Sequence, residues 1–311
     1  MDNFKEKFDI EIHHLTETTA NFDLIGVDTS VANAFRRIMI AEIPTVALER
    51  IDIYNNTSII QDEVLAQRLG LIPLNIDPDW MEWFDPNTPD VVDKETGEVE
   101  SKYNSANTVQ FSLHVKCERN PNAPKDSTDP NELYINSNVY AKDLKYVPFG
   151  KQEEYMKPAP SVLHPDILLA KLRPGQEIEL VAYAQLGIGS DHAKFSPVAT
   201  ASYRLLPRID IIGEPISGQQ AKRFQKHFPS GVIGINSKGE AYVADARKDT
   251  VSREVLRHEE FQGRVKLGRQ RDHFIFNIET TGAMQPDEIF VKSINHLRNK
   301  AIELLSYNLG S

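Results

Sequence analysis

The most constraining feature of this sequence is an apolar stripe near its end. Apolar side chains step by four and three residues over two heptads, at Phe290, Ile294, Leu297, Ala301 and Leu304. This spacing predicts a helix that begins near Pro286, because proline is favoured in a first helical turn. Two interpretations remain open: the stripe packs on a sheet of its own chain, or against a partner helix. Ile289 and Ile302 widen the apolar surface beyond the stripe. This width favours one face packed on the sheet and another packed against a partner.

A second amphipathic helix is predicted near the start of the chain. Apolar residues recur at helical spacing at Val31, Ala34, Phe35, Ile38 and Met39. Residues 28–30 offer an N-cap and Pro44 prevents continuation, so the helix should have about three turns. Arg36 and Arg37 point away from the apolar stripe, and they remain available for another contact.

Strand-like segments fill much of the middle of the chain. Alternating or apolar patterns predict strands over 47–54, 108–117, 133–147, 176–186 and 274–278. A short amphipathic helix is expected to end before Gly70.

The acidic, proline-bearing residues 77–100 are typical of an exposed loop. Trp80, Trp83 and Phe84 are unusual in such a loop. They either staple the loop to the body of the protein or contact a partner.

Residues 208–268 resemble a small inserted unit, because the pattern changes after Pro207. An amphipathic stretch at 219–228 precedes a glycine-punctuated hairpin at 231–244 and a charged run that reaches Arg271. The basic end of this run, 264–271, fits a nucleic-acid-binding module or a solvated loop. The formal net charge of −10, from 45 acidic and 35 basic side chains, favours the loop, because such a surface repels a phosphate backbone.

The single cysteine, Cys117, limits both the chemistry and the compartment. One thiol cannot form an internal disulfide or a multi-cysteine zinc or iron–sulfur site. It falls on the apolar face of strand 108–117 and should be a buried small side chain. The charged N-terminus and the lack of an apolar run of about 20 residues disfavour a signal peptide and a membrane span. We therefore expect a soluble protein of a reducing compartment.

Candidate catalytic motifs are weak. Residues 187–189 (GIG) lack the third glycine of a dinucleotide fingerprint. Residues 77–79 (DPD) carry two carboxylates, but the proline favours a turn over a magnesium site. Residues 190–192 (SDH) are hydrolase residue types, yet the members of a triad rarely adjoin in sequence. The histidines at 13 and 14 show no metal-ligand spacing, so no catalytic residue is expected.

Four segments together resemble the alpha-like family of multisubunit RNA polymerases. They are 29–40 (TSVANAFRRIMI) with the following Glu42-Ile43-Pro44, 65–74 (LAQRLGLIPL), 191–197 (DHAKFSP), and 276–282 (FNIETTG) leading into Pro286-Asp287-Glu288. The first is similar to the signature helix of the family, the second to its next motif, and the last to its final strand and dimerisation helix. Many relatives have histidine where Gln67 stands here.

Missing cysteines refine the resemblance. The alpha-like subunit of polymerase II usually carries a zinc-binding cysteine cluster, and the equivalent loop here, 77–107, has none. Residues 228–233 (FPSGVI) and 249–254 (DTVSRE) resemble the ferredoxin-like insert of archaeal relatives, again without its cysteines. Both sites need thiolates, so neither zinc nor an iron–sulfur cluster is expected. The cysteine-free form resembles the larger alpha-like subunit shared by polymerases I and III.

This resemblance implies an α+β fold with a discontinuous dimerisation domain. Residues 1–53 and 206–311 would form that domain, including the unit at 208–268 as a cysteine-free ferredoxin-like subinsert, and 54–205 would form an insert domain. The implied role is a non-catalytic assembly subunit common to polymerases I and III. It would support transcription of ribosomal RNA, 5S RNA and tRNA genes in the nucleus, including the nucleolus.

The resemblance also implies partners. The smaller alpha-like subunit would pair with the first and last helices, through Phe35, Ile38, Met39, Phe290, Ile294, Leu297, Ala301 and Leu304. Arg36 and Arg37 would contact the second-largest subunits of the two polymerases. Small common polymerase subunits would bind as well, whereas DNA would be reached only through the holoenzyme and no membrane would be involved.

Overall fold

The computed structural model describes residues 4–87, 91–92, 99–100, 102–124 and 127–307. The helices are α1 (Phe4–Lys7), α2 (Thr29–Ala41), α3 (Asp62–Gly70), α4 (Pro130–Leu133), α5 (Gln152–Tyr155), α6 (Gly218–Lys226) and α7 (Pro286–Ser306). Short 3₁₀ helices span Pro78–Trp80, Ala141–Asp143, Ala193–Phe195, Ala246–Lys248, Glu254–Arg257 and Glu259–Phe261.

The strands are β1 (Asp9–Leu15), β2 (Thr19–Ile25), β3 (Thr45–Asn56), β4 (Leu74–Asn75), β5 (Val91–Val92), β6 (Val99–Glu100), β7 (Val109–Lys116), β8 (Glu118–Arg119), β9 (Tyr134–Ile135), β10 (Asn138–Tyr140), β11 (Lys145–Val147), β12 (Ser161–Val162), β13 (Leu168–Lys171), β14 (Glu177–Gly187), β15 (Val198–Ile211), β16 (Ile233–Ile235), β17 (Ala241–Val243) and β18 (Val265–Thr280).

Two four-stranded sheets organise these elements. One has the order β1-β2-β18-β15 and the other β11-β7-β14-β3. The second sheet is antiparallel throughout, and β14 pairs along most of its length with both β3 and β7. The remaining strands form two-stranded pairs such as β16-β17. The structure combines helices with largely antiparallel sheets, and the predicted α+β class is confirmed.

The local predictions are confirmed for several elements and wrong for two. The strand expected over 133–147 is instead three short strands, β9, β10 and β11, with a 3₁₀ helix between the last two. α2 starts after Asp28, whose carboxylate accepts a hydrogen bond from the Ser30 N–H at 2.8 Å, and it ends before Pro44. The expected strand at 274–278 is instead the end of the much longer β18, which also contains the basic residues that we predicted as a loop. Residues 268–271 of that stretch are exposed on both faces, so they lack the alternation that marks a strand in sequence.

The chain divides into two compact units, each discontinuous in sequence. The first comprises residues 1–15, 20–36 and 201–278, and the second comprises 16–19, 37–200 and 279–311. These limits differ from the domain boundaries expected at 53/54 and 205/206, chiefly because both 37–53 and 279–311 cluster with the second unit. The predicted division by domain stays a prediction.

The first unit contains a sheet core and a separate small cluster. In the sheet, the rings of Phe22 and Phe276 stack at 5.3 Å, and Tyr203 meets Phe274 edge to face at 5.2 Å. The small cluster joins α6, β16, β17 and the turns that follow, around the buried Phe224 and other apolar side chains. It lies within the stretch that the sequence marked as an inserted unit.

A buried carboxylate ties one of those turns to the sheet of the first unit. Asp23 on β2 accepts from Arg247 at 3.0 Å, and the His273 Nε2 lies 2.8 Å from its other oxygen. Burial raises the pKa of Asp23, but the hydrogen bonds from Arg247 and His273 outweigh it, so the pKa lies below its ordinary value.

The second unit has its core between the β11-β7-β14-β3 sheet and α3. Leu65 and Leu69 of α3 are fully buried in the same apolar cluster as Phe111 of β7 and Leu180 of β14. Cys117 belongs to this cluster and is buried, as predicted. Burial raises the pKa of its thiol, which makes it an unreactive packing residue.

The aromatic residues of the acidic loop have two different environments. Trp80 packs against the core of the second unit, and Phe84 stacks on Tyr103 at 5.0 Å, so both staple the loop as one interpretation predicted. Trp83 is 56% exposed, which leaves the partner-contact interpretation open for this residue alone. Residues 88–90, 93–98 and 101 of the loop lie outside the described residues.

Candidate interaction surface

The first half of α7 is packed into the second unit. Proline occupies its first turn with two acidic residues, which suit the positive end of the helix dipole. Ile289, Phe290 and Ser293 are buried. The Ser293 hydroxyl donates to the carbonyl of Phe290 at 2.6 Å, so this buried polar group is satisfied within the helix.

The second half of α7 is uncovered. Over 294–306, all of which the structure describes, no residue is buried. Ile294 is 39% exposed, Leu304 67% and Leu305 86%. We define the α7 surface as the apolar residues from Val291 onward that are exposed or half-buried: Val291, Ile294, Leu297, Ala301, Ile302, Leu304 and Leu305.

The members of the α7 surface form one continuous stripe. Ile294, Leu297, Ala301 and Leu304 are spaced by three and four residues, so they lie above one another on the helix. Val291 and Ile302 lie to one side of the stripe and widen it. Such a stripe matches the seam through which two helices pack in a coiled coil or bundle. Among the described residues, no helix is both long and apolar enough to cross a bilayer.

A polar link holds one flank of α7. His296 and Lys300, one turn apart, both contact the carboxylate of Glu42, with the His296 Nε2 at 2.8 Å. Burial raises the pKa of Glu42, but the hydrogen bonds from Lys300 and His296 outweigh it and leave the pKa below its ordinary value. The link fixes the helix while its apolar stripe stays open.

A second ion pair lies nearer the start of α7. Lys292 Nζ lies 3.1 Å from Asp79 and 3.3 Å from Glu288. Burial lowers the pKa of Lys292, and the two carboxylates more than offset this, so the pKa is raised. Asp79, which sequence reasoning assigned to a turn, therefore helps to seat the helix.

The structure separates the predicted partner-binding residues into two groups. Phe35, Ile38 and Met39 of α2 are buried, as is Phe290 of α7. The other four, Ile294, Leu297, Ala301 and Leu304, belong to the α7 surface. Assignment of either group to a partner stays a prediction, and only the second group offers accessible apolar area in this structure.

The two predicted large-subunit contacts also differ. Arg36 is half-buried, and its guanidinium donates twice to the Asn33 side-chain oxygen, at 3.1 and 3.0 Å. Arg37 is exposed and has no hydrogen bond or ion pair to any described side chain. Arg37 is therefore the freer of the two for a carboxylate partner.

Sequence reasoning missed several features of this surface. Val291 and Leu305 lie outside the heptad seam that we counted, although both fit the same helical face once its width is considered. The pairing of His296 and Lys300 at a four-residue spacing was a detectable signal. Their acceptor, Glu42, was not detectable because it lies 254 residues from His296.

The weak catalytic motifs have structural roles. A Cβ at Gly187 would lie 2.5 Å from the Phe195 ring, and one at Gly189 would lie 2.2 Å from the Ile40 carbonyl oxygen, so both glycines permit close packing. Ser190 donates to the Ala41 carbonyl at 2.9 Å, while the His192 ring accepts from the Lys194 N–H. These two side chains are thus engaged separately and do not form a nucleophile–base pair.

Two groups of metal-ligand side chains occur among the described residues. One is Glu11, His13 and Asp23, and the other is His114, Glu177 and Glu179. In the first group Arg247 and His273 already use the Asp23 carboxylate, and a cation beside Arg247 would be repelled. The second group is exposed or half-buried on the sheet. The prediction that the chain needs no metal stays a prediction.

Comparison with known proteins gives an independent view of the chain. The family model of the RNA polymerase Rpb3/Rpb11 dimerisation domain matches residues 21–301. The Saccharomyces cerevisiae protein named DNA-directed RNA polymerases I and III subunit RPAC1 is 60% identical over 303 residues, which cover 97% of this chain and 88% of that protein. The human protein of the same name is 46% identical over 309 residues, covering 98% and 85%.

A more distant relative sharpens the assignment. The polymerase II subunit rpb3 of Dictyostelium discoideum is 30% identical over 308 residues, covering 95% of this chain and 93% of its own. Identity is thus clearly higher to the polymerase I and III subunits, and the resemblance read from the sequence is confirmed. The chain belongs to the RNA polymerase Rpb3/Rpb11 dimerisation-domain family.

Proposed function

We propose that this chain is a non-catalytic assembly subunit common to RNA polymerases I and III. It pairs with the smaller alpha-like subunit, and the pair seats the second-largest subunit during transcription of ribosomal RNA, 5S RNA and tRNA genes. The observation that carries the proposal is the α7 surface, an apolar stripe on a helix whose other flank is fixed. A nuclear location, including the nucleolus, follows from this role.

The energetic argument rests on apolar area. Each large apolar side chain that moves from water into a well-packed interface contributes on the order of 1.5–3 kcal/mol. Leu304 and Leu305 are mostly exposed in the isolated chain, so nearly their full contribution is available to a partner. The matched family model describes a dimerisation domain, so the partner is expected to be another subunit of this kind. A partner helix with a matching apolar stripe would pack against the stripe of α7.

The other proposed contacts rest on single residues. Arg37, with Arg36 beside it, binds carboxylates of the second-largest subunit, because a free guanidinium favours bidentate acceptors. Small common polymerase subunits join the same assembly. DNA is reached only through the holoenzyme, since the net charge of −10 disfavours direct binding. The chain requires no cofactor, and no membrane is involved.

The central experiment is a pull-down of the tagged chain from nuclear extract, with mass spectrometry of the retained proteins. The wild type should retain the smaller alpha-like subunit and large subunits of both polymerases. Leu297→Asp and Leu304→Asp should each abolish retention of the small partner, because both place a charge in the apolar seam. Asn299→Asp is the matched control, since it adds the same charge at an exposed polar position.

The Leu304 variant protects this test against misfolding, because its side chain is two-thirds exposed. Normal pairing by Leu304→Asp would refute the proposed seam. Recovery of polymerase II subunits alone would refute the assignment to polymerases I and III. Recovery of no polymerase subunit would refute the proposed function as a whole. Alanine at both Arg36 and Arg37 should lower recovery of the second-largest subunit while the small partner is retained.

A further inference from the structure

The basic stretch that the sequence left unexplained contributes to a cavity in the first unit. The cavity has a volume of about 400 Å³ and lies among β15, β18 and the turn before the Glu254–Arg257 helix. Three arginines and three apolar residues line it: Arg253, Arg269, Arg271, Leu205, Val251 and Leu267. Arg269 and Arg271 are two residues apart on β18, so their side chains leave the same face of the strand.

The three arginines lack internal partners. All are exposed, and none has a hydrogen bond or ion pair from its side chain to the described residues. Elsewhere in the same unit, Arg208, Arg247 and Arg257 each pair with a carboxylate. No acidic residue is among those that line the cavity. Like charges that converge without a counter-charge repel each other, so an anion would stabilise this arrangement.

An unusual turn presents one of the three arginines. Val251 and Arg253 both have left-handed backbone conformations, with φ of 59° and 58°. This conformation is costly for a β-branched residue such as valine. The turn is held from the sheet by Arg204, which donates to the backbone carbonyl of Asp249 at 3.1 Å. Arg253 is thus directed to the cavity by a fixed turn rather than by a free loop.

We propose that this cavity binds an acidic segment of a partner protein in which carboxylates alternate with apolar side chains. Guanidinium groups bind carboxylates in bidentate geometry. Leu205, Val251 and Leu267 are half-buried, and they offer apolar contacts that a phosphate backbone cannot use. The net charge of −10 also repels nucleic acid at long range, whereas a short peptide meets only the local positive field. The site shares no residue with the α7 surface, and its test is independent of the heterodimer.

The test is fluorescence anisotropy with the full chain at low ionic strength. The probe is a short labelled peptide of alternating glutamate and leucine, compared with peptides of the same length that carry glutamine or serine instead. Glutamine in place of glutamate removes the charge, and serine in place of leucine removes the apolar contacts. The parent peptide should bind more tightly than both, and added salt should weaken it.

A triple variant should weaken binding of the parent peptide on the order of tenfold or more, because it reverses three charge contacts. Its substitutions are Arg253→Glu, Arg269→Glu and Arg271→Glu. The matched control is a second triple variant with Lys222→Glu, Lys226→Glu and Lys238→Glu. These lysines are exposed in the same unit, and their substitution changes the net charge by the same amount. The control should bind like the wild type. Lysine at the three arginine positions should keep part of the affinity.

Three results would overturn the proposal. If the control variant weakened binding as much as the arginine variant, net charge rather than the cavity would determine the affinity. The arginine variant could bind normally with unchanged thermal unfolding, which would place the peptide elsewhere. A labelled single-stranded oligonucleotide of similar charge could bind more tightly than the peptide and lose affinity in the arginine variant, which would make nucleic acid the ligand.

Discussion

α2 and α7 carry the same kind of apolar stripe and use it differently. In α2 the residues Phe35, Ile38 and Met39 are all buried. In α7 burial ends at Ser293, and the stripe continues for three further turns without cover. The pattern of apolar spacing is alike in the two helices, so it predicts an amphipathic helix but not what covers its apolar face.

The difference between the helices separates folding from assembly. A buried stripe contributes to the stability of the chain by itself, whereas an exposed stripe contributes only after a partner binds. Substitutions in α2 should therefore change the free energy of unfolding, and substitutions in the second half of α7 should change binding instead.

Met39→Ala should produce the largest loss of stability. Met39 is fully buried, and its truncation leaves a cavity, which typically costs about 2–5 kcal/mol. Leu304→Ala is the matched variant on α7, and it should change the free energy of unfolding by about 0.5 kcal/mol or less. Chemical denaturation of the full chain measures both values. Equal losses in the two variants would show that α7 is covered within the isolated chain.

Glu42→Gln should have an intermediate effect. The side chain of Glu42 is only 25% exposed and links to His296 and Lys300, so loss of its charge should cost about 1 kcal/mol at neutral pH. Glu153→Gln, an exposed carboxylate without an ion pair to any described residue, is the control and should change little.

The same link predicts a pH dependence with a defined sign. The folded pKa of Glu42 is depressed, so its contribution to stability is complete above the ordinary glutamate pKa of about 4.3. The contribution is lost as the pH falls through the lower pKa of the folded state. Denaturation midpoints measured between neutral and acid pH should therefore converge for wild type and Glu42→Gln. A constant difference across this range would contradict the assigned link.

Local signals explain what the sequence could predict. The limits of α2 follow from Asp28 and Pro44, and the start of α7 follows from Pro286, because capping and proline chemistry act within one or two turns. The burial of Cys117 followed from the alternation that runs along β7 and continues to the next residue. Each of these needed only neighbours in sequence.

Long-range pairing explains what the sequence could not predict. Residues 268–272 of β18 are exposed on both faces, and they belong to a strand because β18 is paired with the distant strand β15 in the sheet. The Glu42 link and the meeting of Arg253 with Arg269 and Arg271 depend on distant segments in the same way. Side-chain periodicity contains no information on such partners.

Two substitutions within α7 compare an exposed side chain with a buried one on the same helix. Leu305→Ser removes a whole apolar side chain that is 86% exposed, so the free energy of unfolding should change by about 0.5 kcal/mol or less. Ile289→Val removes one methylene group from a fully buried side chain on the same helix and should cost about 0.5–1.5 kcal/mol. Chemical denaturation of both variants decides the order. A larger loss for Leu305→Ser would mean that the α7 surface is occupied within the chain, and the role of this surface in pairing would then have to be abandoned.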